Sequence, residues 1–362
     1  MILRRGKIKY EREINPITGE QEDFAKVPVD EDTVISVDSA KAIEERKKQM
    51  KIVAYRKKGK RKEPFVQAMP AYEKNIVGKY SPEMLECLFR TLPYMNYNGD
   101  NIVNAGNLIK VNGIPANDTS LAKLWGISRQ TAIKYIEQFI EDEIWERKQP
   151  EGYVGNAYRF KKNVFLKGAK GDKDYFSKKV VLEGLSRMMD EADRERDRIM
   201  TRPYTSNEKE FAKLTSCHPI ALLGALLIKT DYKSFFLVNN ASLDVIVKPN
   251  ETVVEVLDSS HKRRRFKFLK VYEMWNLYSK SNTNKLTARQ KLELNACLYI
   301  LKRIKALGKW ETGKSEYYIM NPRLVYISPN LKCDEKWYSV IDSLFKLTEA
   351  KMGIKEKNKR LP

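Results

Sequence analysis

Histidine and cysteine are both scarce in this chain. Its 362 residues include only two histidines, His218 and His261, and the cysteines are scattered: they are Cys87, Cys217, Cys297 and Cys333. No CxxC pair and no cluster of cysteine with histidine occurs. Neither a zinc site nor a framework of disulfides is therefore expected, and the sequence predicts no metal and no cofactor. Buried, reduced thiols are the default interpretation of the cysteines.

The usual signatures of catalysis are also missing. The chain has no GxxxxGK[ST] phosphate-binding loop, which argues against an ATPase or a helicase. The metal motif of rolling-circle nicking enzymes, with two histidines one residue apart, is absent as well. Acidic runs at Glu141–Glu143 and Asp190–Asp193 could hold Mg²⁺, but on exposed, charged helices salt bridging is the commoner reason for such runs. We therefore expect a protein that is not an enzyme.

Long apolar segments are lacking too. No stretch of about 18 apolar residues exists that could span a membrane. The N-terminus begins Met1-Ile-Leu-Arg-Arg and turns polar at once, without the apolar core of a secretory signal. We expect a cytoplasmic protein with no membrane partner.

Acidic residues are outnumbered by basic ones. The chain has 68 lysines and arginines against 47 acidic residues, which gives a formal net charge of +21. Such an excess costs self-repulsion, and a phosphate backbone relieves it by counterion release. The charge favours a nucleic-acid partner; the plainer interpretation is a lysine-rich surface that keeps the protein soluble. The length suggests two or three domains, and 42% hydrophobic residues are enough for their cores.

The most informative segment runs from Thr119 to Lys162. It predicts a helix, a tight turn at Gly126, a second helix and a β-hairpin with basic ends. Asp118 or Thr119 can cap the first helix, Gly126 suits a left-handed turn, and Ser128 can cap the second helix. The residues predicted to face inward are Leu121, Trp125, Ala132, Tyr135, Ile136, Phe139 and Ile140.

The outer face of the second helix carries residue types that read base edges. A helix in this position can enter the major groove of DNA, with the hairpin as a wing beside it. Arginine can bond bidentately to guanine, glutamine can do so to adenine, and a methyl group can touch thymine. Ser128 can also donate to a phosphate, and Lys134 suits a phosphate contact. The predicted contacts are Ser128, Arg129, Gln130, Thr131, Ile133 and Lys134.

Three further groups of basic residues are candidate contacts with the DNA backbone. The wing offers Arg147, Lys148, Arg159, Lys161 and Lys162. A basic arm offers Arg56, Lys57, Lys58, Lys60, Arg61 and Lys62. This arm either tracks phosphates or a minor groove, or is a solvated linker. In the second half, the cluster that follows His261 either binds phosphates or forms a solvated loop. Its residues are Lys262, Arg263, Arg264 and Arg265.

The sequence divides into five predicted segments, and the predicted fold class is α+β. Residues 1–79 are expected to hold a hairpin, a helix and the basic arm, and residues 80–167 a winged-helix DNA-binding domain. Residues 168–207 form a charged helical connector. Residues 208–330 form a second winged-helix-like domain, and residues 331–362 a C-terminal helix with a basic tail. Two winged-helix domains are thus joined by a charged helix.

The second half is interpreted as a weak repeat of the first. Strands are predicted at 235–238, 244–247 and 252–257, and a long helix at 286–307 that ends at Gly308. The pair Trp145-Glu146 of the first hairpin is matched with Trp310-Glu311 of the second. Chance similarity between basic α+β domains is the alternative to duplication.

Two roles are open for this second half. Its long helix has possible DNA contacts, which are Thr287, Arg289, Gln290, Lys291 and Asn295. The other role is dimerisation through an apolar stripe, with Leu298, Leu301 and Ile304 at the interface.

The segment Leu121-Ala-Lys-Leu-Trp-Gly-Ile-Ser-Arg-Gln-Thr131, with a wing that leaves through Asn163–Gly168, resembles the winged-helix units of plasmid replication proteins of Gram-positive bacteria. The RepL-type proteins in particular, and related phage proteins, are similar. Tyr318–Tyr326 looks like the same family's ending. The tandem layout is similar to iteron-binding initiators, which carry two related winged-helix domains.

The resemblance implies a sequence-specific protein that binds double-stranded DNA and initiates replication of a plasmid or phage genome. Such a protein works in the cytoplasm of a bacterial or phage-infected cell, binds origin repeats and loads host machinery without chemistry of its own. The alternatives are a transcription regulator with the same contacts, and an architectural protein that binds DNA without sequence preference. Double-stranded DNA is the expected partner. A second copy of the chain and the host replication or transcription machinery are further candidates.

Overall fold

The computed structural model describes residues 9–14, 21–26, 34–36, 64–96, 106–150, 153–167, 178–242, 244–312, 315–326, 337–341 and 343–345. The chain divides into two compact units, Met1–Lys62 and Glu63–Pro362. Helices and small sheets both occur, and the fold class is α+β as predicted. The basic arm with its six candidate contacts, Arg56 to Lys62, lies outside the described residues.

The first unit contains a three-stranded antiparallel sheet. Its strands are β1 (Lys9–Ile14), β2 (Gln21–Lys26) and β3 (Val34–Ser36), in the order β1-β2-β3. The first two strands form the hairpin that the alternating sequence predicts, with Lys9 opposite Lys26 and Ile14 opposite Gln21. The third strand was not predicted, because three residues are too few for alternation to be recognised.

The second unit contains the remaining described helices and strands. Its helices are α1 (Pro70–Asn75), α2 (Pro82–Thr91), α3 (Asp118–Trp125), α4 (Arg129–Glu141), α5 (Leu182–Thr201), α6 (Ser206–Phe211), α7 (Pro219–Leu227), α8 (Val253–Asp258), α9 (Ser260–Arg263), α10 (Val271–Tyr278) and α11 (Ala288–Arg303). Its strands are β4 (Phe65–Ala68), β5 (Lys110–Val111), β6 (Ile114–Pro115), β7 (Trp145–Lys148), β8 (Ala157–Phe160), β9 (Phe165–Lys167), β10 (Lys178–Val181), β11 (Leu307–Thr312), β12 (Ser315–Met320) and β13 (Val325–Tyr326). Residues 337–341 and 343–345 are also helical.

A four-stranded sheet joins the two halves of this unit. Its order is β13-β10-β4-β9, and all three pairings are antiparallel. β4 and β9 flank the first half in sequence, and β10 and β13 flank the second. The central pairing places Val66 opposite Val180. Each half therefore contributes its own pair of strands to one shared sheet.

The two halves repeat the same unusual backbone conformations. Asn107 has a φ of 65° and Phe235 a φ of 62°, and each precedes a short bridge to the second strand of its own hairpin. Glu143 has a φ of 58° and Lys305 a φ of 62°, and each follows the long helix that leads into the hairpin. Because positive φ is uncommon outside glycine, this repetition favours duplication over chance similarity.

Hydrogen bonds fix how the halves correspond. The carbonyl oxygen of Ile144 accepts from the backbone N–H of Lys161 at 2.8 Å, and that of Ala306 accepts from the N–H of Asn321 at 3.0 Å. Ile144 and Ala306 therefore occupy equivalent positions at the start of the two hairpins.

This correspondence corrects the match of Trp145-Glu146 with Trp310-Glu311. The residue that follows Ala306, Leu307, is the equivalent of Trp145, and both are almost fully buried. Trp310 lies three positions further along the chain and packs against Trp337 at 5.5 Å between ring centroids. The repeated Trp-Glu pair is thus a chance similarity within a real structural repeat.

Several predictions for the second half are wrong in detail. Residues 253–257, predicted as part of a strand at 252–257, lie in helix α8, because Thr252 precedes the helix and forms a capping box with Glu255. Residues 244–247 form turns, and 236–238 make only isolated bridges. Gly308 lies within β11, and the left-handed residue after α11 is Lys305.

Of the segment 168–207, predicted as a charged connector, the described part from residue 178 onward packs within the second unit. Helix α5 appears close to the predicted place, and its charged face makes ion pairs such as Arg90 with Asp193 at 2.6 Å. Its other face is buried, with Leu185 and Met188 each 2% exposed. The charge pattern reveals only the solvent side of this amphipathic helix.

Besides the shared sheet, helix α7 of the second half packs against α1 and α2 of the first half. Every residue of α7 is buried, which its run Pro-Ile-Ala-Leu-Leu-Gly-Ala-Leu-Leu explains. Gly224 allows close approach, because a Cβ atom there would lie 2.0 Å from the ring of Phe89 on α2. The hydroxyl of Tyr72 donates to the carbonyl of Gly224 at 2.6 Å.

None of the helices within the described ranges is both long enough and apolar enough to cross a membrane.

Candidate nucleic-acid interface

The turn between α3 and α4 is the one that the sequence predicts. Gly126 adopts a left-handed conformation with φ 68° and ψ 30° and ends α3. Its backbone is the reason for glycine here, because an added Cβ would meet open space. Ser128 caps α4 as expected, since its side-chain oxygen accepts from the N–H of Thr131 at 3.1 Å.

The cap of α3 differs from the prediction. Asn117, and not Asp118 or Thr119, precedes the helix with an extended backbone. Its side chain accepts from the N–H of Ser120 at 3.0 Å, and the hydroxyl of Ser120 accepts in return from the N–H of Asn117 at 2.9 Å. Asp118 is left in the first turn, where its carboxylate is free for other partners.

One face of α4 is fixed firmly in the core. Ala132, Ile136 and Phe139 are at most 1% exposed, as predicted. The ring of Phe139 packs at 5.0 Å from Trp145. The partly buried Tyr135 donates from its hydroxyl to Glu83 on α2 at 2.8 Å. These contacts determine which face of α4 is turned to solvent.

The opposite face carries the predicted base-reading residues. Arg129, Gln130 and Lys134 are exposed, and Thr131 and Ile133 are partly exposed. The side chain of Arg129 is 64% exposed. The structure thus brings these five side chains together on the solvent side of the first turns of α4.

Arg129 is oriented by a neighbour that the prediction did not include. Its guanidinium lies 3.5 Å from the carboxylate of Asp118 in α3. Asp118 also accepts a hydrogen bond from the hydroxyl of Tyr158 in β8. Burial and the nearby Asp118 raise the pKa of Tyr158 well above its usual value, so this hydroxyl remains a donor. Asp118 holds Arg129 loosely, because the ion pair is long and exposed.

Most of the basic side chains in and next to the hairpin β7–β8 form ion pairs within the protein, which leaves fewer of them for phosphate contacts than the sequence predicts. Arg147 pairs with Glu137 of α4, and Arg159 pairs with Glu146 directly across the hairpin. The other two pairs are Lys148 with Glu146 at 3.5 Å and Lys161 with Glu143 at 2.9 Å. Lys162 is exposed at the turn that follows β8. Four of the five predicted wing contacts therefore already have an acidic partner, and the exposed candidate contacts lie mainly on α4.

A further exposed cation lies on α3, the helix that precedes α4. Lys123 is exposed in the last turn of α3, while its neighbour Ala122 is buried against the core. It borders a cavity of about 440 Å³ together with Asn117 and Ser120. The helical period of α3 indicates that Lys123 faces solvent, but the contacts predicted within residues 80–167 include only residues of the second helix, with its cap Ser128, and of the wing.

The basic cluster of the second half divides into two pairs. Lys262 and Arg265 lie 3.0 Å and 2.6 Å from Glu251, and their hydrogen bonds lower the pKa of that carboxyl to about 2. Arg263 and Arg264 are exposed. Only the second pair therefore faces solvent without a close acidic partner in the described part of the chain.

Helix α11 presents a different surface from its equivalent, α4. Thr287 and Gln290 cap each other at its start, and Arg289, Lys291 and Asn295 are exposed. Further along, the positions equivalent to the exposed Lys134 and Gln138 are Ala296 and Ile300. Each is only 2% exposed. The middle of α11 is thus covered where α4 is open.

The predicted dimer stripe on α11 is wrong. Leu298, Leu301 and Ile304 are between 0% and 6% exposed and belong to the core of this unit. Long-range packing buries them within the chain, so they are not free to meet a second copy.

Comparisons with models of known protein families, with curated proteins and with solved structures find no match to this chain.

Proposed function

We propose that this protein binds double-stranded DNA in a sequence-specific manner through the first turns of α4, and that it initiates replication of a plasmid or phage genome. The observation that carries the proposal is the two-sided character of α4. One side is held by aromatic packing, and the other presents Arg129, Gln130 and Lys134 to solvent.

The elements around α4 support this assignment. Helices α2, α3 and α4 are followed by a hairpin, and Leu108 bridges to Arg159 in the second strand of that hairpin. The order is similar to that of a winged-helix domain, whose third helix enters the major groove, and this similarity supports the proposal. The second half repeats the order with α7, α10, α11 and the hairpin β11–β12.

Electrostatic attraction to phosphates would add affinity that does not depend on the DNA sequence. The net charge of +21 provides sequence-independent attraction to phosphates, and exposed cations near α4, such as Lys123 and Lys162, are suited to backbone contacts. Base edges would then be read by Arg129 and Gln130, whose donor groups match guanine and adenine.

The tandem repeat favours a replication initiator among sequence-specific binders. Two similar halves follow one another in the chain, and this tandem layout is similar to that of initiators with two related winged-helix domains. In this proposal the first half reads DNA and the second half, with its covered α11, holds the first in place and adds phosphate contacts through Arg263 and Arg264. The protein performs no chemistry of its own and acts by recruiting host replication proteins.

Replacing Arg129 with alanine tests base reading. We expect Arg129→Ala to weaken binding to a selected duplex by about 1–3 kcal/mol and to relax the preference at one base pair. The measurement is the dissociation constant on the selected duplex and on single-base variants of it, at fixed salt.

Arg194→Ala is the matched control, because Arg194 is also an exposed arginine on a helix of the same unit. It should leave the preference unchanged. If Arg129→Ala weakens binding equally on selected and random duplexes, Arg129 contacts phosphate and does not read a base.

A further inference from the structure

Two cysteines that are far apart in the sequence meet in the second unit. The sulfur atoms of Cys217 and Cys297 lie 3.4 Å apart. Cys217 precedes α7, and Cys297 is in the middle of α11. We propose that this pair is a site of reversible disulfide formation, which joins the segment before α7 covalently to α11 when the protein meets a peroxide. The proposal does not depend on DNA binding.

The surroundings of the pair make one sulfur accessible and keep the other hidden. Cys217 is partly exposed and lines a cavity of about 660 Å³, together with Arg196 and His218. Cys297 is completely buried, and this burial raises the pKa of its thiol well above the usual value. Because Cys217 is the partly exposed cysteine of the pair and Cys297 is buried, the sulfur of Cys217 is the one that a small oxidant reaches first. Cys297 then serves as the resolving thiol.

The chemistry balances with hydrogen peroxide as the oxidant. The Cys217 thiolate attacks one peroxide oxygen, the O–O bond breaks, and the hydroxide that leaves takes up the proton released by the Cys217 thiol. Cys217 is then a sulfenic acid. The Cys297 sulfur attacks the Cys217 sulfur, the S–O bond breaks, and the departing hydroxide leaves as water with the Cys297 proton. Two thiols have lost two electrons, and one peroxide has become two waters.

Non-covalent contacts already hold the two sulfurs in place. The ring of Phe211, in α6, packs at 5.5 Å from Tyr299 of α11. The hydroxyl of Tyr299 donates to Glu208 of α6 at 2.6 Å, and Arg289 of α11 lies 3.5 Å from the hydroxyl of Thr215. The segment that carries Cys217 is therefore docked along α11 before any bond forms. Closing the gap to the S–S length of about 2 Å needs only a small movement.

The bond would stabilise the folded chain. Cys217 and Cys297 are 80 positions apart, so the disulfide closes a long loop and restricts the unfolded state. It would lock the segment 206–217 against α11, which it already contacts through Tyr299 and Arg289. Oxidation would therefore make the second unit more resistant to unfolding.

The test uses the full chain with Cys333→Ser, because Cys333 falls outside the described residues and could link two chains. The protein is treated with hydrogen peroxide, remaining thiols are alkylated, and peptides are mapped by mass spectrometry. We expect a cross-linked peptide containing Cys217 and Cys297, an alkylated Cys87 that peroxide has not oxidised, and reversal of the cross-link by dithiothreitol. The Tm should rise on oxidation, on the order of 5 °C.

A variant with Cys217→Ser in the same background serves as the control, and its Tm should not rise with peroxide. Comparing oxidised with reduced protein of one sequence keeps the test independent of any folding defect in the control. The proposal is overturned if Cys217 ends as a sulfinic acid while Cys297 is still alkylated, or if the only disulfides found join two chains.

Discussion

Gly224→Ala should destabilise the protein by about 3 kcal/mol, although alanine is the better helix former by about 1 kcal/mol. Gly224 lies within α7, and a Cβ atom there would be 2.0 Å from the ring of Phe89. That ring is confined between Tyr72 and Phe165, whose centroids are 5.9 Å and 6.2 Å away. Since Phe89 is 1% exposed, it has no room to withdraw. The free energy of unfolding, measured in urea, checks this expectation.

Gly184→Ala is the control for helix propensity. Gly184 is also within a helix, α5, but its added Cβ would come no closer than 3.3 Å to Leu324. We expect this change to alter the free energy of unfolding by less than about 1 kcal/mol. In the double variant Phe89→Ala with Gly224→Ala, the loss of unfolding free energy should be smaller than the sum of the losses in the two single variants. The reason is that the clash with the ring is absent once Phe89 is alanine. Stabilisation by Gly224→Ala alone would contradict the close packing of the two halves.

Replacing both Arg129 and Lys134 with alanine should weaken binding to a selected duplex by about 100-fold or more. Both side chains are exposed on the first turns of α4, so the change removes contacts with DNA and none with the core. Stability should change by less than about 0.5 kcal/mol for the same reason. Fluorescence anisotropy with a labelled duplex measures the binding, and urea unfolding checks the stability.

The control removes the same charge from another place. Arg194 and Lys209 are exposed on α5 and α6, so changing both to alanine lowers the net charge by two, as the first double variant does. Binding should weaken only slightly, by a factor of about 3 or less. Equal losses in the two double variants would mean that overall charge attracts DNA and that α4 has no special position in the complex.

The first half was the easier one to predict, because its signals are local. The turn needs glycine at Gly126 for its left-handed backbone, and Ser128 caps the next helix within three residues. The spacing of Ala132, Ile136 and Phe139 then fixes the buried face. Local patterns of this kind can be recognised in one sequence.

The errors come from effects that a local pattern does not contain. Val253 and Val256 suggested a strand, but the capping box at Thr252 started a helix, and both valines are buried in that helix. Sequence alone predicts free hairpin cations, because it does not reveal the register that sets Glu146 beside Arg159. It also leaves open an interface on α11, because the contacts with distant segments that bury the stripe are not visible in a local pattern.

The meeting of Cys217 with Cys297 is the strongest example of such long-range information. The sequence places one cysteine in a loop and the other in a helix, with no spacing motif to connect them. Only the packing of α6 and the following segment along α11 brings the sulfurs to 3.4 Å.

The most direct test of the central claim is to select bound DNA from a pool of random duplexes with the full chain at physiological salt. The account predicts one enriched motif, and predicts that Arg129→Ala loses the preference at one position of it. A motif that forms a single block would indicate that one chain binds the duplex, and an inverted repeat would indicate that two chains bind it. Tight, salt-sensitive binding without any enriched motif would contradict base reading by α4 and leave an architectural protein that binds DNA without sequence preference.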